Sequence, residues 1–213
     1  MSAFIRTLII NNQLDAPATL VFSFDDQLMK GIYVDYFPTV FRVIPFPAGD
    51  HNSGEISYQN QLVFTSPQIE SGVVVRAATY EPIGLGERTV LTLKDGYLDF
   101  TPPEAGTEGV IQALNQTEQR TDIGVGFLKD PRRPSTSLVW REVAHNANVT
   151  AEFTPKLRAY VTTDYQENEV LRGAIQTGAI WEENLAKLPS VTSWLFKQDT
   201  ATGEYKLERM EFI

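Results

Sequence analysis

The feature that most constrains this chain is an internal repeat: its two halves carry similar stretches in the same order. The first two matches lie 103 residues apart, as Asn12 and Asn115 show, and the separation then shrinks to 99 and to 97 residues. Loop trimming between two copies of one module would produce such small steps. The matched stretches are residues 8–13 with 111–116, 20–24 with 123–127, 40–42 with 139–141, and 65–73 with 162–170. A pair of similar modules creates a seam between them, and seams of this kind are common ligand sites.

The length of the chain agrees with two modules. A chain of 213 residues can form two domains of roughly 100 residues each. The clearest break is residues 101–107, where Pro102 and Pro103 interrupt any strand ladder. We therefore predict one module over residues 1–103 and a second over residues 104–213.

Strand signals dominate both halves. Runs rich in β-branched and aromatic residues end repeatedly in Asn, Asp, Pro or Gly, and Lys94-Asp95-Gly96 is a typical hairpin turn. Short strands separated by turns every ten residues or so predict an all-β fold of two homologous antiparallel β-sandwich modules. A jelly roll or a barrel is the next alternative. One short helix is predicted over residues 181–188, because Trp181, Leu185 and Leu188 have helical spacing and Pro189 would end it.

Composition excludes several classes of function. The formal net charge of −9 argues against nucleic acid, since basic side chains supply most of the affinity for phosphate. The absence of cysteine removes disulfides, thiolate catalysis and cysteine metal sites. With no signal-peptide pattern and no apolar run of about 20 residues, we expect a cytoplasmic or otherwise intracellular protein without a transmembrane segment.

Residues for catalysis or metal binding are few. The chain has two histidines, His51 and His145, and no nucleophile motif accompanies either of them, so we predict that the protein is not an enzyme. Asp25-Asp26 follows a strand and is read as a turn. The best metal-ligand candidates are Asp35 and His145, since carboxylate and imidazole both bind divalent cations.

Aromatic residues give the most specific functional signal. Tyr33, Tyr36 and Phe37 surround Asp35, and because the two tyrosines have opposite parity, one of them is free to line a pocket. Phe41 and Trp140 hold matching positions in the repeat, which favours one large anchor per module. The predicted ligand-binding residues are Tyr33, Asp35, Tyr36, Phe37, Trp140 and Tyr165.

Part of the chain also resembles a known group of proteins. Residues 138–141, 157–166, 171–176 and 180–181 are similar to a β-rich family of mushroom proteins. The size, the acidity, the lack of cysteine and the doubled module are similar to the family of the pink chromoprotein of oyster mushrooms. The resemblance implies a soluble chromoprotein that holds a small, non-covalent aromatic pigment, with a divalent metal ion as a possible second component. It carries over no ligand-binding residue.

Two other functions stay open. A fungal-type carbohydrate-binding protein would use two similar modules for avidity and would duplicate its exposed aromatic residues. A membrane-interacting defence protein would carry an exposed apolar patch, although the acidic composition disfavours an anionic membrane surface.

Overall fold

The computed structural model describes residues 4–49, 52–130 and 133–211, and these residues form an all-β fold. The strands are β1 (Ile5–Gln13), β2 (Ala18–Ser23), β3 (Phe37–Pro38), β4 (Val40–Phe46), β5 (Ser53–Gln59), β6 (Leu62–Glu70), β7 (Val73–Ile83), β8 (Glu87–Lys94), β9 (Tyr97–Phe100), β10 (Glu104–Ala105), β11 (Ile111–Gln116), β12 (Thr121–Asp130), β13 (Arg133–Val143), β14 (Asn148–Ala151), β15 (Lys156–Val161), β16 (Trp181–Asn184), β17 (Val191–Gln198) and β18 (Tyr205–Met210). The all-β prediction is confirmed.

Burial along the strands follows from what covers each face. In β1, Leu8 and Ile10 are buried and their neighbours are partly exposed, the alternation of a strand with one covered face. In β2, Leu20, Val21 and Phe22 are all fully buried in succession, so this strand is covered on both faces.

The strands form four sheets. Sheet 1 has the order β18-β17-β1-β5 and sheet 2 the order β16-β15-β2-β4. Sheet 3 has the order β3-β13-β12-β6-β7, and sheet 4 the order β10-β8-β11-β14 with β9 also paired to β8. Every sheet thus combines strands from both sides of the predicted boundary at residues 103 and 104. As a division between repeats, that boundary stays a prediction.

The sheets match in pairs. In sheets 1 and 4, the central strand (β1 or β11) lies parallel to the first strand of a hairpin (β17–β18 or β8–β9) and antiparallel to β5 or β14. Sheet 2 and the part of sheet 3 ordered β7-β6-β12-β13 are both wholly antiparallel and have the same sequence of neighbours. The eight strands from β1 to β9, leaving out β3, therefore correspond in order and pairing to the eight strands from β11 to β18.

Two main hydrophobic cores lie between these sheets. The first core contains side chains of sheets 1 and 2, including Leu8, Phe22 and Phe196. The second core contains side chains of sheets 3 and 4, including Val125 and Ile111. The two cores meet at an aromatic group in which the Phe127 ring lies 5.2 Å from Phe24, 4.7 Å from Tyr58 and 4.7 Å from Phe153, measured between centroids.

Strand register disagrees with two of the sequence alignments, those of residues 40–42 with 139–141 and of residues 65–73 with 162–170. Ile44 pairs with Leu20 in sheet 2, and Trp140 pairs with Ile123 in sheet 3. When sheet 2 is laid on sheet 3 by strand order, with Leu20 on Ile123, Trp140 corresponds to Ile44 and not to Phe41. In the same way, Thr65 corresponds to Tyr160 and not to Thr162. Similar residues in these two stretches therefore do not mark equal places in the strand pairing.

The predicted helix over residues 181–188 is wrong. Trp181–Asn184 is a strand, because it pairs antiparallel with β15. Only Leu185–Lys187 turns, as a 3₁₀ helix capped by the Asn184 side chain, which accepts a hydrogen bond from the backbone N–H of Ala186 at 3.0 Å. The Trp181 ring is buried in the first core, and this tertiary contact outweighs the helical spacing. Among the described residues, no helix is long and apolar enough to cross a membrane.

Candidate functional site

The candidate site is built around a long connection that we call the crossing loop, residues 24–36, which runs from β2 to β3. Its tightest turn lies at Gly31, whose carbonyl accepts a hydrogen bond from the Asp35 backbone N–H at 2.7 Å. Gly31 has a φ of +84°, and a Cβ there would overlap the Asp35 carboxylate. Glycine is therefore required here, and the turn fixes the position of Asp35.

The crossing loop leads the chain from sheet 2 to sheet 3. Directly after it, β3 pairs antiparallel with β13, with Pro38 opposite Leu138 and Phe37 opposite Val139. This pairing holds the C-terminal end of the loop against β13. As a result, Tyr36 lies beside Trp140, which is two residues beyond Leu138 in β13.

Tyr36 and Trp140 form a ring pair. Their centroids lie 4.7 Å apart and their planes are inclined by 30°, a geometry close to offset stacking. Tyr36 is only 6% exposed, whereas Trp140 is half-buried. The structure thus brings together two of the residues that the sequence predicted for ligand binding.

This ring pair lines a pocket of about 450 Å³, which we call the loop pocket. The crossing loop supplies one wall, and β13 and β14 with the residue after β14 supply the other. Its lining residues are Leu28, Met29, Lys30, Tyr36, Leu138, Trp140, Thr150, Ala151 and Glu152. The volume and the mixture of aromatic, aliphatic and a few charged groups are typical of small-molecule sites.

Acidic groups influence the loop pocket. Burial raises the pKa of Tyr36, and the charges of Asp26 and Asp35 raise it further. Glu152 and Lys30 are exposed at the pocket wall. The Tyr36 hydroxyl therefore stays protonated and can donate a hydrogen bond to a bound molecule.

At its start, next to the outer face of sheet 2, the crossing loop buries a carboxylate. Asp25 is fully buried, and its Oδ2 accepts hydrogen bonds from the hydroxyl of Tyr160 at 2.5 Å and from that of Tyr33 at 3.3 Å. Arg158 Nη1 lies 3.8 Å from the same oxygen and donates to the Asp25 carbonyl at 3.4 Å. Burial raises the pKa of Asp25, and the Tyr160 hydrogen bond and the Arg158 charge offset this only in part.

An ionic network continues from this carboxylate. Lys156 Nζ lies 3.3 Å from Asp26 Oδ1 and 2.8 Å from Glu182 Oε1, and Arg158 Nε lies 3.1 Å from Glu182 Oε2. The hydrogen bond to Glu182 and the contacts with Asp26 raise the pKa of Lys156. The network ties the start of the crossing loop to β15 and β16, which holds the loop across the outer face of sheet 2.

Four of the predicted ligand residues do not line the loop pocket: Tyr33, Asp35, Phe37 and Tyr165. Tyr33 and Tyr165 pack against a small cluster on the outer face of sheet 2, formed by Val21, Val40, Tyr160, Leu171 and Ile175. Phe37 packs against a second small cluster of Val74, Val139 and Val170. Tyr165 also lines a separate, more open pocket with residues 169–174.

The predicted metal ligands have separate surroundings. Asp35 is exposed beside Gly31. His145 is exposed in the turn after β13, where its Nδ1 accepts a hydrogen bond from the Glu118 backbone N–H at 3.2 Å. Among the described residues, no group of three or more potential ligands gathers around one point. His51 lies outside the described residues.

Sequence reasoning missed the buried residues Asp25, Arg158 and Tyr160. The sequence predicts a turn at Asp25-Asp26, because acidic residues at strand ends are usually solvated. A signal is present in the run Leu20-Val21-Phe22 before it, since a strand that is apolar on both faces implies a covering layer. The spacing of Lys156, Arg158 and Tyr160 also places three polar groups on one face of β15.

Residues of the candidate site come from distant parts of the chain, and no motif in the sequence joins them. The geometry itself offers a pocket with a ring pair and an acidic lining residue, Glu152, and the same crossing loop separately buries the Asp25 carboxylate. Comparison of the chain with protein-family models, with curated proteins and with solved structures finds no match.

Proposed function

We propose that this protein is a non-enzymatic small-molecule binder, a chromoprotein that holds a flat conjugated pigment non-covalently in the loop pocket. The observation that carries the proposal is the Tyr36–Trp140 ring pair in a pocket of about 450 Å³. The half-buried Trp140 ring offers a platform on which a planar ligand can stack. The Tyr36 hydroxyl can orient the ligand through a hydrogen bond.

The pocket walls support this assignment. Leu138 and Ala151 are buried and hold one wall rigid, while Met29 on the opposite wall has a flexible side chain that adapts to irregular shapes. A rigid wall facing an adaptable one suits a ligand that is held for long times.

The proposal extends to the architecture. We propose that the chain consists of two homologous β-sandwich modules, residues 1–103 and 104–213, that have exchanged their C-terminal halves. Each core then combines the first four main strands of one module with the last four of the other. The matched pairing of the four sheets supports this arrangement. Denaturation with separate probes in the two cores tests it, since two sandwiches that share long connections are expected to unfold together.

An absorption spectrum of protein purified from its native source tests the pigment. We expect a visible band that is lost on denaturation and that can be extracted into organic solvent. The Trp140→Ala variant is expected to lose the band, because the stacking platform is removed. Tyr97→Ala is the matched control: Tyr97 is 78% exposed in a distant hairpin, and its removal is expected to leave the band unchanged. A colourless native protein contradicts the pigment.

A divalent cation beside the pigment stays a prediction that involves Asp35 and His145. Metal analysis of the same purified sample tests it, with Asp35→Asn and His145→Gln as variants. A metal content near one equivalent that falls in either variant would support the cation.

One observation favours membrane interaction as the second function. Leu28 and Val34 are 84% and 78% exposed, and both lie on the crossing loop. Exposed apolar side chains on one loop can enter the interfacial region of a bilayer. Co-sedimentation with neutral lipid vesicles tests this, with Leu28→Ser and Val34→Ser expected to remove binding. A carbohydrate-binding role is tested by a glycan array, with Tyr97→Ala as the first variant.

A further inference from the structure

We propose that the loop pocket selects a planar organic cation over a planar organic anion of the same size. This inference rests on the proposed function, because it names the chemical class of the molecule that the Tyr36–Trp140 pair holds. Three observations carry it: the ring faces, the acidic groups at the walls, and the engagement of the nearby basic groups.

The ring faces favour positive charge. The face of an indole or phenol ring carries partial negative charge, so that a cation within about 6 Å of the ring centroid is attracted to it. Trp140 is half-buried and lines the pocket. A planar cation can therefore combine stacking with a cation–π contact on one side chain.

Acidic groups add to this preference. Glu152 lines the pocket directly. Asp26 and Asp35 both act on Tyr36, which lines the pocket, and their charges raise the pKa of its hydroxyl. Asp26 is paired with Lys156, so the exposed carboxylates Glu152 and Asp35 contribute most of the negative potential near the ligand.

The basic groups nearby are mostly engaged elsewhere. Lys156 is paired with Asp26 and Glu182, and Arg158 is paired with Asp25 and Glu182. Among the described residues that line the pocket, Lys30 is the basic one, and its side chain is exposed to water. A hydrated lysine at the rim offsets only part of the negative potential.

Two fluorescent probes of similar shape test the inference. Proflavine is a planar three-ring cation, and anthracene-2-sulfonate is a planar three-ring anion. Fluorescence anisotropy at low ionic strength measures the affinity of each for the full chain freed of any native pigment. We expect proflavine to bind about tenfold more tightly than the anion.

Variants separate charge from shape. Asp35→Asn and Glu152→Gln are each expected to weaken proflavine binding about threefold and to strengthen binding of the anion. Lys30→Gln is expected to have the opposite effect on both probes. Asp95→Asn is the matched control, since Asp95 is exposed in the turn between β8 and β9, and it is expected to change neither affinity.

The outcomes are distinguishable. Equal affinities that both fall in Trp140→Ala would overturn the charge preference and leave the small-molecule site in place. Preference for the anion would overturn the inference in the same way. Failure of both probes to bind a pigment-free protein would contradict the inference together with the proposed function. Proflavine binding that does not respond to Trp140→Ala would place the cation outside the loop pocket and overturn the assignment.

Discussion

Sheets 2 and 3 have the same four-strand pairing but very different connections. In sheet 3, β12 is followed by β13 and β6 by β7 after only two residues each. In sheet 2, β2 leads to β4 through residues 24–39, and β15 leads to β16 through residues 162–180. The long connections cover the outer face of sheet 2, bury Asp25 and bring the crossing loop to Trp140. The candidate site therefore depends on connection length rather than on strand pairing.

Equivalent positions of sheets 2 and 3 show how the long connections allow polar groups to be buried. Asp25 corresponds to Leu128 at the offset of 103 residues, and both side chains are buried. Tyr160 is opposite Val21 in sheet 2, where sheet 3 has Thr65 opposite Gly124. A carboxylate held by a tyrosine thus stands where the other sheet has a leucine and a threonine, and the covering loops make this possible.

The largest difference in stability between matched variants of sheets 2 and 3 is expected at the two β-bulges. Gly126 and Ser23 hold matching positions, but a Cβ at Gly126 would overlap the Ser135 carbonyl of the adjacent strand. We expect Gly126→Ala to lower the free energy of unfolding by about 3 kcal/mol. Ser23→Ala removes a hydrogen bond to the Thr39 carbonyl and is expected to cost about 1 kcal/mol. Urea denaturation measures both losses. Equal losses would contradict the inference that the adjacent strand lies closer to Gly126 than to Ser23.

The next effect concerns two buried asparagines at matching positions. The side-chain amides of Asn12 and Asn115 each donate to two backbone carbonyls, and Asn115 Oδ1 also accepts from Thr117. We expect Asn115→Ala to cost about 3 kcal/mol and Asn12→Ala about 2 kcal/mol, since each leaves buried groups unpaired. Thermal denaturation measures the two losses of stability. A larger loss in Asn12→Ala than in Asn115→Ala would contradict the prediction.

A smaller effect is expected for the hydroxyl groups at Tyr160 and Thr65. Tyr160→Phe leaves the buried Asp25 carboxylate without its shortest hydrogen bond and is expected to cost about 2 kcal/mol. Thr65→Val breaks a neutral hydrogen bond to Thr136 at 2.9 Å and is expected to cost about 1 kcal/mol. Chemical denaturation of both variants at neutral pH measures the difference. If Thr65→Val proved the more costly, Asp25 would not be a charged group held by Tyr160.

The smallest effect is a pH dependence of stability, which is expected only at sheet 2, where the crossing loop buries Asp25. Burial raises the pKa of Asp25 in the folded state, so its contribution to stability is present at low pH and is lost as pH rises through that pKa. Between about pH 3 and about pH 7, we expect the wild type to lose stability relative to Asp25→Asn. Tyr33 and Tyr160 face Asp25 and keep their protons over this range, because burial raises the pKa of each hydroxyl. The Arg158 guanidinium is the third group that faces Asp25.

Asp95→Asn is the control for this experiment, because Asp95 is exposed and its replacement is expected to give a constant difference across the range. A constant difference for Asp25→Asn as well would mean that the buried carboxyl group has the same pKa in the folded and unfolded states.

Local patterns predicted part of this molecule. The all-β class follows from β-branched runs and turn residues. The dense aromatic group marks Tyr36, but the strand parity assumed for Tyr33 and Tyr36 does not apply, because residues 24–36 form a loop. Trp140 was chosen as a large strand residue, and the structure places it against Tyr36. Both predictions needed only the chemistry of neighbouring residues.

Long-range pairing explains what the sequence did not reveal. Residues 181–188 have helical spacing, but pairing of Trp181 with Ala159 makes the segment a strand. Asp25 is buried because Tyr160 and Tyr33 cover it, and nothing near Asp25 in the sequence indicates Tyr160. The pairing of β1 with β17 joins residues more than 180 positions apart, such as Thr7 and Val191, a distance over which hydrophobic periodicity carries no information.

The order of the paired strands along the chain also sets an order of events during synthesis. Residues 62–151 contain every main strand of the second core, so this core can close as soon as that stretch has left the ribosome. β1 and β2 emerge first, but their partners β17 and β15 are made last. β1 and β2 can pair early with β5 and β4. The edges that later receive β17 and β15 stay open while most of the chain is translated, and such open edges are where a chaperone would act.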